Sequence, residues 1–170
     1  ENDYLREKTT NPLKLKEFIA DAKYLLSENE EHKYYLCGII GNLYRICEEP
    51  QDALNYLHEC LNISLEEGNI KKEIVSLIRL GETLKYANQH QKALELFNSA
   101  LTKCHDKQVE LYLDFTLQHK GKCLMELGEL EEAETCFVQS LKLREHKAEP
   151  SLIKSTELAL NLIRTLKKKS

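Results

Sequence analysis

The sequence predicts an all-α protein, a solenoid of antiparallel helix hairpins stacked in one domain. Three observations carry that prediction: a repeat of fixed 40-residue period, apolar residues at helical rather than alternating spacing, and a shortage of turn residues. The 170 residues include 6 Gly and 3 Pro, whereas sandwiches and barrels need turn signals every few residues. Hydrophobic residues make up 42% and charged residues 31%, the balance of a folded, charge-coated chain. A chain of this length buries a core without a disulfide or metal staple.

The repeat is read from small residues first. Gly41, Gly81 and Gly121 stand forty apart, and Ala53, Ala93 and Ala133 follow each by twelve. Four residues later come Leu57, Phe97 and Phe137, then Cys60, Ala100 and Ser140, each followed by leucine at 61, 101 and 141. Five columns recurring in three copies define a structural unit stacked on its neighbours.

The elements follow in order. Residues 13–28 read as the second helix of an earlier unit, with Leu15, Ile19 and Ala22 in its small-large-small columns. Its first helix is then missing or reduced to Glu1–Thr9, the expectation for a fragment cut from a longer chain. In the first full copy, Leu36, Ile40, Leu43, Tyr44 and Cys47 form one helical stripe, and Ala53, Leu57, Cys60, Leu61 and Ser64 form the next. Copies two and three repeat this with Leu77, Leu80 and Leu84, and with Leu117, Leu124 and Leu127. Breakers separate the paired helices: Glu48-Glu49-Pro50, Asn88-Gln89-His90 and Gly128-Glu129. Pro50 suits a first helical turn, where its missing N–H is not needed. Asn88 and Gly128 suit the left-handed residue that ends a helix.

Glycine inside a helix costs about 1 kcal/mol against alanine, so three in register imply close helix crossings. The large residues Leu57, Phe97 and Phe137 are then expected to fill the space between adjacent hairpins. After Pro150-Ser151 a helix runs to about Lys168, packing Leu152, Ile153, Leu158, Leu160, Ile163 and Leu166 on the last hairpin. Lys167-Lys168-Lys169 complement the negative end of its dipole. The expected organisation is one domain, with a partial unit at 1–33, repeats at 34–73, 74–113 and 114–147, and a capping helix at 148–170.

These residues resemble the tetratricopeptide repeat family. Copy one matches its motif with Cys37, Ile40-Gly41, Tyr44, Ala53, Leu57 and Cys60, and copy two with Leu77, Leu80-Gly81, Leu84, Ala93, Phe97 and Ala100. Copy three reads Leu117, Lys120-Gly121, Leu124, Ala133, Phe137 and Ser140. Departures are the missing opening aromatic, the absence of a closing proline, Lys120 at an apolar position, and a period above the usual 34. Longer units of this kind are similar to those of kinesin light chains, spindle-orientation adaptors and peptide-sensing bacterial regulators. The resemblance implies a right-handed solenoid whose first helices line a concave groove for peptides or helices of other proteins. By it, the partner-binding groove comprises Asn42, Arg45, Arg79, Glu82, Lys85, Tyr86, His119, Lys122 and Met125, with Ile39, Ile46 and Glu126 beside them. The implied function is a non-catalytic protein–protein interaction module or scaffold. The alternative is a peptide- or ligand-sensing regulatory domain of a larger signalling or transcription regulator.

Motifs for chemistry are sparse. The chain has no Gly-rich phosphate loop, G-x-S-x-G or H-E-x-x-H, so neither catalytic residues, cofactor nor metal is expected. His58 and Cys60 stand two apart and point to different sides of a helix. Glu66-Glu67 and Glu131-Glu132 read as solvated helix faces. The six cysteines include no C-x-x-C pair and read as reduced and buried, which favours a cytoplasmic address. No apolar run approaches the roughly 18 residues of a membrane span. Net charge −4 and a pI near 5.9 argue against nucleic acid as a partner.

The groove positions hold Arg45, Arg79, Lys85 and Lys122 against Glu82 and Glu126. A groove more basic than its surroundings favours an acidic or C-terminal-carboxylate ligand, which arginine can grip bidentately. The bland reading is that Arg79 with Glu82, or Glu82 with Lys85, simply pair along one helix. The carboxylate clamp of chaperone-binding family members is matched only at Asn42, so a chaperone tail held in that way is not expected. Ile39 and Tyr86, if exposed, would serve homo-oligomerisation equally well.

Overall fold

The computed structural model describes residues 4–168, which form eight α-helices and no strand. The helices are α1 (Pro12–Glu28), α2 (Lys33–Ile46), α3 (Pro50–Glu66), α4 (Ile70–Tyr86), α5 (His90–Asp106), α6 (Leu113–Leu127), α7 (Leu130–Lys147) and α8 (Pro150–Lys167). Single 3₁₀ turns at Glu30–His32 and Glu110–Tyr112 lead into α2 and α6. The pairs α2–α3, α4–α5 and α6–α7 are hairpins, with α1 packed on α2 and α8 on α7. Helices α2, α4, α6 and α8 also meet one another in series, forming the inner layer of a right-handed α-solenoid. None of the described helices is long and apolar enough to cross a membrane.

Local chemistry sets the helix ends. Pro12, Pro50 and Pro150 open α1, α3 and α8, where the absent N–H leaves nothing unsatisfied. The Asn11 and Asn69 carboxamides accept from the amides of Lys14 and Lys72 at 3.1 Å, capping α1 and α4. Every hairpin and every join between hairpins turns through a left-handed residue: Glu48, Gly68, Asn88, Gln108, Gly128 and Ala148. At the first five, the next N–H donates to the carbonyl five residues back, as Glu49 does to Tyr44, closing the last helical turn. Asn88 and Gly128 carry a sequence cue for this turn; Glu48, Gln108 and Ala148 carry none.

The glycine columns mark close packing, but the large partners sit differently from expectation. A Cβ on Gly81 would meet three ring carbons of Phe97 at 2.7–3.1 Å, and one on Gly121 would meet those of Phe137 at 2.8–3.0 Å. Gly41 faces Leu57 Cγ at 2.6 Å in the same way. Leu57, Phe97 and Phe137 therefore do not merely fill gaps between hairpins. Each presses into the hollow that glycine leaves on the other helix of its own hairpin, and each is buried. One apolar core runs from α4 to α8, with smaller clusters around Ile19, Ala22 and Ile40 and around Tyr34, Cys37 and Cys60. All six cysteines are free thiols, five of them buried. Burial pushes those of Cys60 and Cys123 up to about 12.

The capping helix is held by more than apolar contacts. Ala159, Leu160 and Ile163 of α8 are buried, but Leu158, expected to pack, is exposed. A buried polar knot supplies the rest: Arg144 Nε donates to Asp114 Oδ2 at 2.9 Å, while its Nη1 donates to Leu152 O at 3.1 Å and Thr156 Oγ1 at 2.8 Å. Lys147 also pairs with Asp114. One carboxylate thus joins α6 and α7, and Arg144 carries the link to α8. Lys167 reaches Glu134 at 2.6 Å, while Lys169 lies outside the described residues.

The N-terminus departs most from expectation. Residues 5–9 are not a shortened helix; they run as open chain and contact α2, α4 and α6.

Candidate functional site: the concave face

Helices α2, α4 and α6 lie side by side, so equivalent positions on each line a common inner face. Its two halves differ. Near the helix C-termini, the chain's own residues 5–8 cross it; near the N-termini, it stays open as a cleft.

The crossing segment is bound through both main chain and side chains. Tyr86 brackets Glu7: its hydroxyl accepts from the Glu7 amide at 2.5 Å and donates to the Glu7 carbonyl at 3.2 Å. Lys122 Nζ reaches the Leu5 carbonyl at 3.4 Å. Arg6 Nε donates to Glu126 Oε1 at 2.9 Å, and its Nη2 reaches Glu126 Oε2, the Lys85 carbonyl and Asn88. The Glu7 carboxylate turns the other way and accepts from Arg45 Nη2 at 2.7 Å. Lys8 pairs with Glu48 at 2.9 Å. The Tyr86 ring is ringed by cations, with Arg45, Lys85 and Arg6 at 4.8, 5.1 and 5.2 Å from its centroid, a geometry that favours both ring and charge. Burial pushes the Tyr86 phenol up to about 12, so it stays a neutral donor and acceptor.

Beneath the segment runs a buried ladder of charges between repeats. Arg45 on α2 lies 3.3 Å from Glu82 on α4, and His119 on α6 lies 3.4 Å from the same carboxylate. Lys85 on α4 lies 3.3 Å from Glu126 on α6, which also meets His90 at 2.8 Å. Burial pushes the Glu82 carboxyl upward, but His119, once protonated in acid, together with Arg45, Lys85 and Lys122 reverses this and holds it at about 2. Burial draws His119 down to about 4 against the pull of Glu82. It is also the main cause of the lowered Lys85. For Glu126, burial works upward and is outweighed by Arg6, Lys85 and His90, leaving its carboxyl below the usual range.

The open half is a cleft of about 790 Å³. Tyr34, Tyr35, Tyr112 and Phe115 supply aromatic walls, with Ile39, Val75 and Ile78 between them. Arg79 lines it, its guanidinium lying against Gly38, where any side chain would collide with it. Asn42, Glu82 and His119 line the border towards the occupied half.

The structure thus brings most of the expected groove residues to one face, with different tasks. Arg45 and Lys85, read as exposed basic positions, are 3% and 1% exposed and matched by Glu82, Glu7 and Glu126. Asn42 accepts from Arg45 at 2.7 Å. Met125 is a correction: at 1% exposure it belongs to the core. Tyr86 is also buried, at 8%, and so is not an exposed apolar contact for a second copy; Ile39 is exposed. Pairing occurs mainly between helices, because neighbouring repeats place opposite charges closer than one helix does. Among the described residues Arg79 and Lys122 take part in no ion pair. Sequence reading missed Arg6 and Glu7, since the five-residue open segment 5–9 has no periodicity to reveal where it docks. It also missed the aromatic walls, which stand outside the repeated columns.

Comparison with known proteins agrees with this architecture. Tetratricopeptide repeat family models match residues 35–104 and 116–147, together more than half of the chain. No curated protein matches the sequence. Among solved structures, the apo form of RapI superposes with a TM-score of 0.73 at 19% identity, covering 89% of this chain. The chain spans 56% of RapI's length, and at this identity the likeness speaks for the fold. With glycine-gated hairpins, a charge-laddered concave face and these two matches, the chain belongs to the tetratricopeptide repeat family.

Proposed function

We propose that this repeat module binds an extended segment of a partner protein along its concave face and does so without catalysis. One observation carries the reading: the face already holds a stretch of open chain, residues 5–8, through main-chain and side-chain bonds of the kind a bound peptide makes. The aromatic cleft beyond it offers room for more of such a ligand, with apolar walls for affinity and one guanidinium for orientation. Arg79 makes an acidic side chain or terminal carboxylate the fitting group there. The ladder beneath fixes the spacing of the three inner helices, so the surface is preorganised.

The test is capture of partners from the source cells by the wild type and by a variant carrying Arg79→Glu with Lys122→Glu. Neither side chain belongs to an ion pair among the described residues, so helical content should stay unchanged, while the melting temperature should fall modestly because Lys122 helps hold the Glu82 carboxyl down and reaches the Leu5 carbonyl. Loss of the captured protein is the expected result. Undiminished capture by the folded variant would overturn the reading.

A further inference from the structure

The occupied half of the concave face has two charge-selective pockets separated by a main-chain grip. Glu126, buried and already facing Lys85 and His90, takes the Arg6 guanidinium. Arg45, buried and held by Glu82 and Asn42, takes the Glu7 carboxylate. Between them the Tyr86 hydroxyl reads only backbone. Adjacent side chains of an open chain point to opposite sides, so consecutive residues reach α6 and α2 respectively. Each pocket keeps internal partners when the segment leaves: Lys85 and His90 for Glu126, Glu82 for Arg45. The site is therefore built into the solenoid rather than created by the segment, and its order of charges is fixed by the helices.

We propose that this half of the groove selects a peptide in which a cationic residue is followed directly by a carboxylate, and that residues 5–7 hold it in cis as a resident copy of that ligand. The inference rests on the peptide-binding reading above and specifies the ligand and its control. A tethered segment competes at an effective concentration on the order of mM, so a partner in trans meets a reduced fraction of competent sites.

The experiment uses the full chain and a dye-labelled synthetic peptide with the sequence of residues 4–11, followed by fluorescence anisotropy. The receptor is wild type or Arg6→Ala with Glu7→Ala, which frees the site while leaving every groove residue intact. Far-UV circular dichroism should report the same helical content for both. The peptide should bind the variant at least about tenfold more tightly than the wild type, and a peptide with Arg and Glu exchanged should bind the variant about tenfold more weakly still. Equal binding to both receptors would overturn control by the segment, and equal binding of the exchanged peptide would overturn the charge order. Binding to neither overturns this inference, whereas the broader reading is judged separately by the Arg79 and Lys122 variant.

Discussion

An alanine methyl at Gly81 would stand 2.7–3.1 Å from three ring carbons of Phe97, well inside contact distance. Phe97 is 0% exposed, and because protein interiors are close-packed the ring cannot give way without moving its neighbours, so the two helices of that hairpin must separate. Overpacking of this kind costs about 1–3 kcal/mol, while alanine in a helix interior gains about 1 kcal/mol over glycine. The balance at Gly81 is a loss of up to about 2 kcal/mol. Gly38, also within a helix, gives the opposite expectation. Its nearest neighbour is the end of the Arg79 side chain, and Cys60 Sγ is 3.8 Å away. The guanidinium can swing into the cleft at little cost, so Gly38→Ala should gain up to about 1 kcal/mol. For a chain of this size each kcal/mol moves the melting temperature by about 2–4 °C. Thermal and urea unfolding would be followed by far-UV circular dichroism and tyrosine fluorescence together, because coincident curves are needed to treat a repeat protein as two-state. A Gly81→Ala protein more stable than the wild type, or Gly38→Ala the more damaged of the two, would refute the packing argument.

Other substitutions probe the polar parts of the fold. Arg144→Met should cost about 3–5 kcal/mol in urea unfolding, because it leaves the buried Asp114 carboxylate short of its main partner. It should also raise hydrogen exchange in α8 before α4, since Arg144 bonds Leu152 and Thr156. Acid should weaken the protein in two stages. His119, at about 4 in the fold against an ordinary 6.5, makes the unfolded chain bind the extra proton, so stability falls as pH drops from 6.5 to 4. Glu82, at about 2 against an ordinary 4.5, contributes stability above pH 4.5 that is lost as pH falls towards 2. Chemical unfolding from pH 8 to 3 would show this, and His119→Gln should flatten the upper stage by on the order of 3 kcal/mol and shrink the lower one as well, because His119 is the foremost of the groups that hold the Glu82 carboxyl down.

How much was legible beforehand differs by level of structure. The hairpins were readable because backbone geometry and close packing act on each repeat alike: Gly81 needs Phe97 for the same reason that Gly121 needs Phe137, and the columns record it. Turns were half readable. Asn88 and Gly128 announce left-handed backbone, whereas Glu48, Gln108 and Ala148 accept it because the helices on both sides are already anchored. The residues expected in the groove fall on α2, α4 and α6, but Lys85 and Met125 sit at positions that look outward on an isolated helix and are covered here.

Local periodicity, capping residues and small side chains act over a few turns of helix, and they are enough to dictate an all-helical stack and which face of each hairpin is apolar. Long-range electrostatics is different in kind. Glu82 meets Arg45 from one neighbouring helix and His119 from another, Arg144 ties the last helix through Asp114, and Arg6 finds Glu126 across 120 positions of chain. Such pairings depend on distances between helices, which only the assembled solenoid defines, and they turned an apparently open basic groove into an internally paired face crossed by residues 5–8 of the same chain.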